Sequence, residues 1–409
     1  MFQPHLVVIG YVWPEPSSSA AGENMLNLLL AFVQCQWKVS FLTAASDSIH
    51  KADLTALGIN AYPISLNNSS FDSLISQLRP DAVVFDRFMI EEQFSWRVRK
   101  NCPDAMHILN TEDLHSLRHC RQQAVKQHTK ATVDFYDPMT QREVAAIIRC
   151  DLTLIISAAE YTLLTEKFNV PVQQLIQTPL LLSQLTTETI PDFSQRSGFV
   201  FIGNYRHAPN WDAALRLKQV IWPQIRRQLK HATLHLYGAY PAKKVTDLHN
   251  PKQGFMVEGW AQEARASIMQ HKVMLAPLQF GAGVKGKLLT AMQCHTPSVT
   301  TPIGAEGIAD ACQWPGAVCI TDDELVTQSV DLYENAERWQ AQADKAQQIL
   351  HRHYNTAQNQ RTLVNYCEAL MRTLAAHRRQ LFMQQLLWNE TLRSNQYMSQ
   401  WIEAKNTKK

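Results

Sequence analysis

Lys285 and Lys287 follow a glycine-spaced loop, Phe280-Gly281-Ala282-Gly283, within the stretch VMLAPLQFGAGVKGKLLTAMQCHTPSVTTPIGAEGI that runs from Val273 to Ile308. A short apolar run, Val273 to Pro277, reads as a buried strand ahead of the loop. Val284, Leu288, Leu289 and Met292 lie at helical spacing behind it, so the loop opens a helix. Backbone N–H groups at a helix start, the helix dipole and two nearby ammonium groups all favour an anion. The chemistry this suits is the holding of a phosphate or diphosphate. Glycine turns are also common in ordinary βα units, and the residues alone leave both readings open.

Other polar groups gather where strands are expected to end. Asp86, Arg87, Glu91, Glu92 and Arg97 follow the run Ala82 to Phe85, and Glu112, Asp113, His115, Arg118 and Arg121 follow Met106 to Leu109. His115, close to Asp113, has the chemistry to orient a hydroxyl or accept a proton near neutral pH; the plainer reading is a histidine on a helix surface. Glu91 and Glu92 read as a solvated face. Ser157 and Glu160 have capping-box spacing. Ser17 to Ser19, Ala20, Ala21 and Gly22 place hydroxyls and small residues at a helix start, suited to capping or to a ligand's close approach. Asn204, Arg206 and His207 follow GFVFIG, where Arg206 offers a bidentate donor for a diphosphate or is an ordinary surface arginine. Trp260 suits stacking on a base or packing in a core.

The elements that position these groups alternate. Expected strands are 6–10, 37–43, 60–64, 82–85, 106–109, 152–156, 198–203, 233–237, 255–257, 273–277, 298–301 and 318–320. Helical patterns lie between several of them, with 54–57 read as a helix end. Such alternation predicts α/β architecture with doubly wound parallel sheets, in which ligands bind beyond the carboxyl ends of strands. At 409 residues, 45% hydrophobic and 18% charged, the chain has a globular composition and a length suited to two domains. A net charge of +3 argues against nucleic acid. Eight scattered cysteines show no metal-like grouping and suggest a reducing, cytoplasmic setting. No leader is expected ahead of the first strand, and no apolar run approaches the ~20 residues of a membrane span. The polar stretch 186–197 is read as a linker. The pattern places one domain at 1–190, a second at 191–355, and helices over 356–409. Leu381, Phe382, Leu386, Leu387, Trp388, Met398 and Trp401 suit packing or an oligomer contact, and Arg378, Arg379, Lys405, Lys408 and Lys409 leave peripheral membrane contact as a further option.

The central stretch resembles the donor-binding segment of GT-B glycosyltransferases of the group-1, or family-4, type. Their pattern is G-x-G-x-K-x-K, a helix bearing E-A-M, then P-V-V-x-T and a G-A-E-G turn. Gly281, Gly283, Lys285, Lys287, Ala291, Met292, Pro297, Thr300 and Gly304 to Gly307 match it. GFVFIG with PNWDAA resembles the start of the family's second domain, and FDRFMIEEQFSWR and TEDLHSLR resemble a bacterial branch. Thr290 replaces the family's glutamate, which grips the ribose; Ala282 replaces another, and His295 replaces a glycine.

The resemblance implies two Rossmann-like domains facing a cleft, with a C-terminal helix crossing back onto the first. It implies transfer of a sugar from a nucleotide-diphosphate sugar to an unidentified acceptor (a glycan, a lipid-linked species or a protein), with retention and without metal or other cofactor. It assigns donor binding to Gly22, Gly203, Asn204, Arg206, Gly281, Gly283, Lys285, Lys287, Thr290 and Glu306. His115 and Asp113 take the catalytic roles. The alternative is a degenerate GT-B protein that binds a ligand or partner without transfer, favoured by Thr290 and His295. A sugar-nucleotide epimerase lacks recognisable acids and histidines here, and an NAD(P) dehydrogenase lacks its glycine fingerprint.

Overall fold

The computed structural model describes residues 3–127, 134–183 and 189–407. Among these described residues, thirteen strands fall into two wholly parallel sheets. The first contains β1 (His5–Gly10), β2 (Lys38–Thr43), β3 (Asn60–Pro63), β4 (Ala82–Asp86), β5 (Met106–Asn110), β6 (Leu152–Ile155) and β7 (Leu175–Gln177), in the order β3-β2-β1-β4-β5-β6-β7. The second contains β8 (Phe199–Ile202), β9 (Leu234–Tyr237), β10 (Phe255–Gly259), β11 (Val273–Ala276), β12 (Ser298–Thr300) and β13 (Gly316–Val318), in the order β10-β9-β8-β11-β12-β13. The chain is therefore built from two Rossmann-like halves. Each sheet reverses strand order beside its first strand, between β1 and β4 and between β8 and β11, which opens a crevice at the strand ends.

The central strands are near-continuous apolar runs because helices cover both faces. Leu6 and Val8 of β1 pack on one side with Met25, Leu28 and Phe32 of the helix Ala20–Gln34, while Val7 and Ile9 pack on the other with Phe85 and Phe94. Two further clusters flank the second sheet, centred on Phe199, Phe201 and Trp222 and on Met274, Leu288 and Met292. After Tyr354 the chain returns to the first domain. Gln360 Nε2 donates to Asn27 O at 2.8 Å, Arg378 grips Asp151, and Trp388 Nε1 donates to Arg149 O at 2.8 Å.

Several local expectations give way to tertiary context. Residues 54–57 form turns rather than a helix end, the last strand lies two residues earlier than the pattern suggested, and β7 has no strong sequence signal. Glu91 is fully buried and bidentate to Arg149, with Oε1 2.9 Å from Nε, and is no solvated face. Glu92 does pair near the surface, with Arg142. Residues 186–188 of the expected linker, and Lys408 and Lys409, lie outside the described residues. Further along, Arg196 is buried and donates to Thr296 Oγ1 at 2.7 Å and Cys294 O at 3.0 Å, so the linker's end belongs to the second domain's packing.

Candidate functional site

The carboxyl ends of both sheets face one cavity of about 460 Å³. From the first domain, Ser17 to Ala21 follow β1, Arg87 follows β4, and Glu112, Asp113, His115 and Arg118 follow β5. From the second, Gly203, Asn204, His207 and Asn210 follow β8, Trp260 follows β10, and Phe280 to Ala282 and Val284 to Lys287 follow β11. Two helix starts meet here, Ala20 of Ala20–Gln34 and Gly286 of Gly286–Gln293. They approach so closely that a Cβ at Gly286 would come 2.2 Å from the Ala20 methyl carbon. Both positive dipole ends therefore share one wall of the cleft. Ser19 caps the first, accepting from Gly22 N at 3.1 Å, as the capping reading expects.

The lysines sharpen that electrostatic character. Lys285 Nζ donates to Gly283 O at 2.6 Å; burial drives its pKa down, while Glu306 and Glu160 act in the opposite direction. Lys287 donates to Asn210 Oδ1 and lies over the Phe201 ring at 4.4 Å. Burial lowers its pKa to about 7. An incoming dianion would restore both ammonium groups, so this wall gains charge when its ligand arrives.

The acids and histidine opposite behave differently from a simple His–Asp couple. His115 Nε2 lies 3.5 Å from Asp113 Oδ1. Burial and the cations Arg118 and Arg87 outweigh Asp113 and lower the His115 pKa to about 3, which favours the neutral ring. Burial pushes Asp113 upward, but the paired Arg118 and His115 hold it below the usual range. Beside them, burial and the Asp86 carboxylate raise the Glu112 carboxyl, while Asn110 and Asn24 donate to it at 2.9 and 3.3 Å. Arg87 and Glu112 both adopt left-handed φ, 75° and 59°. Strain of this kind in residues with side chains concentrates at sites that need it.

Of the expected donor residues, Gly203, Asn204, Gly281, Lys285, Lys287 and Thr290 line the cavity, as do His115 and Asp113. Gly22, Arg206, Gly283 and Glu306 do not. Gly22 lets the helix pass the Glu15 backbone, which a Cβ would approach to 2.4 Å. Arg206 is exposed and stacks over Tyr240 at 3.6 Å. Gly283 donates its N–H to Glu160 Oε1 at 2.7 Å, and a Cβ there would strike Asp113. Glu306 is bidentate to Arg121, at 2.8 and 2.7 Å, while Arg121 also donates to Gly281 O at 2.8 Å.

These last contacts join the two domains. Arg265 with Glu23 at 2.6 Å, Tyr240 with Glu15 at 3.0 Å, and Trp260 Nε1 to Ser17 O at 3.2 Å join them elsewhere on the cleft. Glu160 therefore makes no capping box: its Oε1 accepts from Leu114 N at 2.9 Å and from Gly283 N across the cleft. Trp260 is 40% exposed and packs on His50 at 4.5 Å, neither core nor free. The Glu23–Arg265 pair had no signal in spacing, since 242 residues separate its members. Among the described residues no group of three or more His, Cys, Asp or Glu is placed to hold a metal ion.

Residues 196–335 match the family described as "Glycosyl transferases group 1". Over that stretch the chain is similar to group-1 glycosyl transferases. Solved structures extend the likeness to the whole architecture, which is GT-B. Anabaena HepE in complex with UDP and glucose superposes with a TM-score of 0.66 at 12% identity, covering 90% of this chain and 100% of that one. WaaG, a glycosyltransferase involved in lipopolysaccharide biosynthesis, gives 0.63 at 11% identity over 88% of this chain and 99% of its own. A Staphylococcus aureus TarM mutant, solved with fondaparinux, alpha-GlcNAc-glycerol and UDP, gives 0.56 at 12% identity over 72% of this chain; the chain spans only 57% of its length. At such identities the likeness establishes the fold. No curated protein matches the chain. The matched residues contribute the lysine-bearing wall of the cleft.

Proposed function

We propose that the protein transfers a sugar from a nucleoside diphosphate sugar to an acceptor held by the first domain. The observation carrying this reading is the convergence of two helix starts with Lys285 and Lys287 on one cavity. Breaking a glycosyl–phosphate bond leaves negative charge on the departing diphosphate. Pre-placed ammonium groups and helix N–H groups stabilise that charge more than they stabilise the intact donor. UDP is the first base to test, because HepE and the TarM mutant were solved with it. On this reading the reaction retains configuration and needs no metal, the lysine wall supplying the positive charge. The scattered cysteines support a cytoplasmic setting. The acceptor is of glycan, lipid-linked or protein type.

A second reading has its own observation. The Thr290 hydroxyl donates to Gly286 O at 3.0 Å, so it is engaged within its helix where the family's glutamate would hold the ribose. A binding protein without transfer is then the alternative. Thermal stabilisation against UDP, GDP, ADP, TDP and CMP compounds and their sugars tests the site. A shift for one diphosphate, lost with Lys285→Ala/Lys287→Ala, supports a donor site; no shift across the panel removes it.

A further inference from the structure

The last helix, Phe382–Thr407, is 26 residues long and unusual in which side it presents to the protein. Its inner side is largely polar. Gln384 is fully buried and donates to Arg149 O and Asp151 Oδ1, Ser399 donates to Asn67 Oδ1, and Glu403 accepts from Ser69 N. Trp388 is the main apolar residue on that side. The large apolar side chains instead point outward: Phe382, Met383, Leu386, Tyr397, Met398 and Trp401 are 75, 50, 43, 65, 58 and 60% exposed. At about 100° per residue these six fall within an arc of about 160°. A helix needing only to pack on the first domain would have the opposite arrangement.

Charge distinguishes between possible occupants. Arg379 is exposed just ahead of this helix and Arg393 and Lys405 are exposed within it, and Lys405 lies 5.2 Å over the Trp401 ring. Between Arg379 and Lys405 the sequence has only two carboxylates, Glu390 and Glu403. Glu403 is turned inward to Ser69, near Arg97. Pairing two copies of this face, parallel or antiparallel, brings cations against cations at both ends. An anionic lipid surface meets those charges favourably and accepts the aromatic and aliphatic side chains at the headgroup boundary. No described helix is long and apolar enough to cross a membrane, so the contact is one of lying on the surface.

We propose that the outward face of Phe382–Thr407 docks the protein on an anionic lipid bilayer. This surface is separate from the cleft, and it stands or falls independently of the donor reading. Its test is flotation of the full chain with vesicles of phosphatidylcholine alone or phosphatidylcholine mixed with phosphatidylglycerol, at low and high salt. The wild type should float with the mixed vesicles, with binding weakened by salt. Phe382→Gln/Leu386→Gln/Trp401→Gln should reduce binding about tenfold or more, since it removes the inserted area. Arg393→Gln/Lys405→Gln should reduce the preference for anionic over neutral vesicles. Each variant keeps the inner contacts, so its melting temperature should stay at the wild-type value. Light scattering accompanies the flotation. No vesicle binding overturns the proposal, whether the protein is monomeric or forms a dimer that the triple apolar variant dissolves. Equal binding to neutral vesicles overturns the charge argument.

Discussion

Raising pH should weaken nucleotide binding through Lys287. The unliganded group titrates at about 7 because burial disfavours its charged form. A bound diphosphate returns it towards the ordinary lysine value near ~10. Between pH 7 and 9 the fraction already protonated falls from about one half to about one hundredth, a loss of about 50-fold in apparent affinity, or ~2.3 kcal/mol. Partial exposure of Lys287 screens some of this, so about tenfold is the expected loss. Lys285, also lowered by burial, acts in the same direction. Calorimetric titration with UDP in two buffers of different ionisation enthalpy counts the protons. At pH 8 uptake should be close to ~0.9 proton from Lys287 alone, and Lys287→Gln should abolish that share. The unliganded protein should show the opposite trend from this residue. The folded chain releases the proton above pH 7 and the unfolded chain only near 10.5, so the Lys287 contribution makes stability rise with pH across that window. Binding that is independent of pH, with no proton uptake, would refute the reasoning.

Other perturbations follow from single contacts. Burial and Asp113 raise the Glu160 carboxyl, so its contribution to stability is present below the unfolded value of 4.5 and is lost as pH rises through the folded one. Glu160→Gln should flatten that fall in urea titrations at acid and alkaline pH, whereas Glu160→Ala should cost ~1–3 kcal/mol by leaving Leu114 N and Gly283 N without their acceptor. His295 has a φ of 50° just after its helix, a conformation glycine adopts freely; His295→Gly should stabilise by roughly 1 kcal/mol, read as a higher melting temperature. Thr290→Glu should raise nucleotide affinity roughly tenfold if the ribose lies against that position, and unchanged affinity in the same titration would place the ribose elsewhere.

The architecture was legible because its signals are local and repeated. Runs such as LVVIG and AVVF are apolar throughout, as only strands covered on both faces can be, and loops with glycines and caps separate them. The lysine loop was legible for a similar reason, with glycines, cations and helix start contiguous in sequence. What escaped is whatever depends on the other domain. Glu160 has the spacing of a cap, yet its carboxylate is bonded across the cleft, and the contacts of Glu306 with Arg121 and of Gly283 with Glu160 have no signal in the loop pattern. Glu91 reads as solvated until Arg149, 58 residues away, is placed beside it. His115 shows how burial among cations changes a side chain's chemistry without changing its identity.

Donor turnover tests the central claim most directly. Release of UDP from UDP-sugars by the purified protein, followed with and without candidate acceptors, should occur for the wild type and be lost in Lys285→Ala/Lys287→Ala. Binding of UDP at the lysine wall with no release from any UDP-sugar, whatever the acceptor, would contradict transfer and leave a GT-B protein that holds its nucleotide without using it.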